Sequence, residues 1–63
     1  MKNKKVEEIV LPYKEGIPPN PSVGIDDKII HAIQLMVDNN LKNIAVVLNA
    51  RPIGRVCLED ALN

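Results

Sequence analysis

The side chains able to do chemistry in this 63-residue sequence are few: the carboxylates Asp26-Asp27, the lone His31, and the run Gly54-Arg55-Val56-Cys57-Leu58-Glu59-Asp60. Cys57 would act as a nucleophile only beside a base and in positive surroundings. His31 is the only histidine, and on a helix it shares a face with Lys28, Gln34 and Asp38, away from the apolar side, so no dyad is expected. One His and one Cys also fall short of the three or four ligands that a zinc site uses. Asp26-Asp27 or Glu59-Asp60 could hold a hard cation weakly, but helix capping explains the first pair better. Neither G-x-G-x-x-G nor G-x-x-x-x-G-K occurs, so the two common phosphate-cradling loops are missing. No catalytic and no metal-binding residue is assigned, and a non-enzymatic protein is expected.

The elements that must position these groups follow from apolar spacing and breakers. Residues 6–11 suit a short helical turn with Val6, Ile9 and Val10 on one side, stopped by Pro12. Residues 12–21 carry Pro12, Pro18, Pro19 and Pro21 and read as an extended, semi-rigid connector. A short half-buried strand is expected over 22–25. Asp26 or Asp27 then caps a helix over 27–39, with Asn39-Asn40 suited to end it. On that helix Ile29, Ile30, Ala32, Ile33, Met36 and Val37 span an arc of about 160°, against the roughly 100° stripe that one sheet needs. The excess, mainly Ile30 and Val37, predicts a second contact. The nearly continuous apolar run 44–48 reads as a strand covered on both faces. A turn over 49–52 and a returning strand over 53–57 follow, and a short helix over 58–62 closes the pattern. The fold class is α/β (α+β), a single small β-α-β-β-α unit. It divides into a lead-in segment (1–11), the proline-rich connector (12–21) and the unit proper (22–63).

Size and charge limit the functions available. A chain this short buries roughly 60% of the surface that its unfolded form exposes. With one Cys, one Tyr and no Trp or Phe, it has no disulfide and little aromatic core, so a partner chain is the expected source of stability. Eight basic and eight acidic residues cancel, which argues against nucleic acid as a partner. The one basic cluster, Lys2, Lys4 and Lys5, falls at a terminus expected to be loose. A single cysteine suits a reducing compartment. No signal-peptide core follows the start, and no apolar run nears the roughly 20 residues of a membrane span. A cytoplasmic location is expected.

Taken in order, these segments resemble a single CBS domain, the repeat named after cystathionine β-synthase, over nearly the whole chain. Val6-Glu7-Glu8-Ile9-Val10 sits where the family has Val-x-x-Ile-Met, and Pro21-Ser22-Val23 matches its first strand. Ala32, Leu35 and Met36 match the "A-x-x-L-M" helix, and residues 40–47 match the pattern leading into and including "L-P-V-V". Gly54 to Asp60 match "G-h-h-T-x-x-D", where h is apolar. The resemblance implies two such units packed as a pseudo-twofold pair, with adenosine-containing ligands such as AMP, ATP or S-adenosylmethionine in the clefts. It also implies a regulatory role toward an enzyme or transporter. No cofactor is required. One unit alone implies a homodimer or higher oligomer, agreeing with the arguments from size and helix width. Ile30, Ile33, Val37, Leu58 and Leu62 are the expected interface.

The resemblance places a ligand at Asp60, Cys57, Ser22, Val23, Asn43, Ile44, Ala45 and Arg55. Asp60 would accept from the ribose hydroxyls, as an acceptor-only carboxylate can; its other reading is a first-turn carboxylate complementing the helix dipole. Cys57 replaces the motif's Thr, and a thiol is a weak donor and acceptor. Arg55 replaces an apolar residue and either reaches a phosphate or faces solvent, and Lys42 has the same two readings. Ala45 replaces Pro. Ser22, Val23, Asn43 and Ile44 would frame the adenine, with Ala45 beside them, although core packing explains their apolar members equally well. Two alternatives remain open at this level: a dimerisation or docking module without a ligand, and an N-terminal piece of a longer two-repeat protein.

Overall fold

In the computed structural model, which describes residues 4–63, a 3-10 turn (Val6–Glu8) precedes β1 (Ser22–Gly24), α1 (Ile29–Asp38), β2 (Asn43–Leu48), β3 (Arg51–Cys57) and α2 (Leu58–Leu62). β1 and β2 are parallel, β2 and β3 antiparallel, giving a sheet of order β1-β2-β3. Side chains alternate across a strand. One sheet face carries Val23, Ile44, Val46 and Val56, which form the core with Val6 and with Ala32 and Met36 of α1. Ile44, Ala45 and Val46 are all buried, so β2 is covered on both sides as its apolar run predicts.

α2 starts at Leu58 as expected, but α1 starts two residues later than expected and without its expected cap. α1 begins at Ile29 with Lys28 at its N-cap and no side-chain cap. The free Ile29 N–H instead donates to the Lys4 carbonyl at 2.9 Å, and the Leu58 N–H that opens α2 donates to the Lys42 carbonyl at 2.8 Å. Backbone from a neighbouring segment thus meets the need that capping side chains usually meet. The Asp27 carboxylate closes the β1–α1 loop, accepting from the Gly24 N–H at 2.8 Å. The end of α1 follows the sequence: Asn40 takes φ 57°, the Leu41 N–H donates to the Met36 carbonyl, and that of Asn40 to Val37. Such a left-handed closure suits asparagine.

The lead-in segment is not loose from Lys4 onward; Lys2 lies outside the described residues. The Val6 N–H donates to the Asp27 carbonyl and that of Glu7 to Ile25, and Val6 is fully buried. Leu11 exchanges two 2.8 Å hydrogen bonds with Arg55, adding one residue of pairing beside β3. The connector turns back at Glu15-Gly16 rather than running extended, and the Tyr13 hydroxyl donates to the Ile17 carbonyl at 2.8 Å. The β2–β3 turn is shorter than the expected 49–52. Only Asn49 and Ala50 lie between the strands, both at positive φ, the backbone of a tight two-residue hairpin.

Candidate functional site

Cross-strand register decides which of the expected ligand residues share a surface. Ser22, Ala45 and Arg55 are successive Cα partners across the three strands, and Asn43 pairs with Cys57 in the next row. All five therefore rise on the sheet face away from the core. Val23 and Ile44 face the other way and are consumed by core packing. On the outer face Ala45 is buried, while Ser22, Asn43, Arg55 and Cys57 are half-buried.

Arg55 is the group on this face whose needs are least met. Its Nη1 donates to Asn43 Oδ1 at 3.0 Å, while its Nε is buried without a partner. Among the described residues no carboxylate pairs with it; the one pair within 4 Å is His31 Nδ1 with Asp27 Oδ2 at 3.7 Å. An unmet buried donor costs roughly 1–3 kcal/mol, more when charged. An apolar side chain, as in the resembled motif, would carry no such cost.

Asp60 is exposed on the first turn of α2, separate from the outer sheet face. It lines an open groove of about 660 Å³ with Ile29, Ile30 and Ile33 of α1, and with Lys4, Lys28 and Leu62. Cys57 lines a second recess of about 500 Å³ with Lys42, Asn43, Leu58, Glu59 and Leu62. The "T-x-x-D" pair thus opens onto two neighbouring hollows that share Leu62. His31 is exposed and turned to Asp27, and Cys57 is a free thiol. Among the described residues no group of three or more His, Cys, Asp or Glu side chains is placed to hold a metal ion.

The expected interface residues divide by burial. Ile30, Val37 and Leu62 are 65%, 62% and 66% exposed, and Ile33 is half-buried beside them. Leu58 packs partly against the core. Ile30, Ile33 and Val37 follow an i, i+3, i+7 spacing and make one ridge along α1.

The β-α-β-β-α order with its three-stranded sheet defines a small α+β unit of the CBS type. A solved structure of a CBS domain-containing protein of unknown function from Kribbella flavida DSM 17836 superimposes with a TM-score of 0.60 and 26% sequence identity, covering 82% of this chain. The chain has the fold of a CBS domain. It spans about a third of that neighbour (34%). No protein-family model and no curated protein matches the chain. Among the described residues no helix is long and apolar enough to cross a membrane.

Proposed function

We propose that this CBS domain is a non-enzymatic regulatory module that pairs with a second copy of itself and binds an adenosine-containing ligand of the AMP, ATP or S-adenosylmethionine class. The pair would modulate a partner protein such as an enzyme or transporter. The observation that carries this reading is the unpartnered ridge Ile30, Ile33, Val37, continued by Leu62, along the groove that also holds Asp60. Lys4 and Lys28 line that groove together with Asp60. A twofold axis sets the same patch against itself, so the exposed apolar ridge of one copy would cover that of the other. Regulation follows if the ligand prefers one arrangement of the pair, because it can shift that equilibrium only by its difference in affinity.

Titration calorimetry with AMP, ATP and S-adenosylmethionine tests the ligand half. Asp60→Ala is expected to weaken nucleotide binding at least about 10-fold, as loss of a charge-assisted hydrogen bond does, while the pair persists. A docking module without a ligand is the second reading. Cys57 in place of a hydroxyl favours it, as does the division of Cys57 and Asp60 between two hollows. It predicts no heat from any of the three compounds and no effect of Asp60→Ala on association.

A further inference from the structure

We infer that Arg55 is the anchor of an oxyanion site on the outer face of the sheet, so that the ligand of this module carries a phosphate there. The inference rests on the ligand-binding reading above and names the chemistry that selects the ligand. Arg55 stands in one row with Ser22 and Ala45, and beside the row of Asn43 and Cys57. None of these four neighbours is a carboxylate, and Asn43 meets one guanidinium nitrogen through its side-chain oxygen at 3.0 Å. Glu59, which lines the adjoining recess, makes no ion pair with it. What remains is a half-buried fixed positive charge with no carboxylate partner among the described residues; its Nε is enclosed by the protein, so an arriving anion would be met by the terminal guanidinium nitrogens.

A guanidinium presents its donors as a planar fork matched to carboxylate and phosphate oxygens. The Asn43 contact orients that fork, and the Arg55 backbone is held through both its N–H and its carbonyl by the paired hydrogen bonds to Leu11. Such an arrangement is organised before a ligand arrives, which lowers the ordering cost of binding. The Ser22 hydroxyl, in the same row, adds a donor of the kind phosphate oxygens accept. An uncharged nucleoside would leave the guanidinium as it is now. The site therefore favours AMP or ATP over adenosine, which offers the guanidinium no anionic group.

The test compares inorganic phosphate, AMP and adenosine on the wild-type chain and on Arg55→Met, by calorimetry and thermal unfolding. Phosphate and AMP are expected to raise the unfolding temperature of the wild type, and AMP to bind at least about 10-fold tighter than adenosine. Arg55→Met should abolish both effects while raising the unfolding temperature of the anion-free chain, since an apolar side chain leaves no orphan donor. Arg55→Lys keeps the charge without the fork and should retain only part of the phosphate effect. Equal affinities for AMP and adenosine, unchanged in Arg55→Met, would overturn the oxyanion site and leave the adenosine reading standing. Stabilisation by phosphate that depends on Arg55, with no binding of AMP or adenosine, would support the site and remove the adenosine reading. No response of the wild type to phosphate or AMP would overturn the site outright.

Discussion

Gly54 shows how far one position can govern this small molecule. A Cβ there would lie 2.5 Å from Val10 Cγ2 and 2.7 Å from the Leu11 carbonyl oxygen. The second neighbour is backbone, so relief requires moving the segment that pairs with Arg55. Gly54→Ala is expected to cost about 2–3 kcal/mol, the range of overpacking a tight site. Thermal unfolding should register a fall of about 10–20 °C in a domain of this size. An unchanged midpoint would mean that the 10–11 segment is not seated as described. The same segment fixes the strand on which Arg55 stands, so packing at Gly54 and anion recognition at Arg55 are joined through two backbone hydrogen bonds. The glycine was visible in the sequence as part of a motif. Its reason was not, because the clash comes from residues more than forty positions away.

At the scale of elements, the legible parts were those set by local rules. The apolar run of β2, the asparagine-rich end of α1 and the order of strands and helices followed from periodicity and turn chemistry. The start of α1 did not, because the Lys4 carbonyl receives its first N–H from outside the segment, as the Lys42 carbonyl does at the correctly placed start of α2. No local pattern announces a backbone acceptor; neither Asp26 nor Asp27, the two cap candidates, caps α1, and Asp27 holds the Gly24 N–H instead. Which of the expected site residues share a surface was not legible. Only the register separates Ser22, Asn43, Arg55 and Cys57 from the core-facing Val23 and Ile44. The hairpin carries its own prediction. Ala50 takes φ 65° directly after Asn49 at φ 52°, and a left-handed Ala is strained by roughly 1–2 kcal/mol. Glycine relieves that strain but loses more entropy on folding, so Ala50→Gly is expected to stabilise by about 0.5–1 kcal/mol. Urea denaturation measures it; a loss of stability would contradict the turn geometry.

For the whole molecule, the governing fact is a core of few and mostly small side chains beside a helical ridge left exposed among the described residues. Val6, Val23, Ala32, Met36, Ile44, Val46 and Val56 make up the core cluster, while Ile30, Val37 and Leu62 remain more than half exposed. A second copy laid on that ridge would bury apolar surface worth about 25 cal/mol per Å² before the cost of association is met. Stability should then depend on protein concentration, because pairing favours only the folded state. The measurement that tests this most directly is sedimentation velocity of the chain across low to high micromolar concentration, beside Ile30→Glu. The wild type is expected to form a concentration-dependent pair, and the variant to be a folded monomer. A wild-type chain that sediments as a stably folded monomer throughout would contradict it.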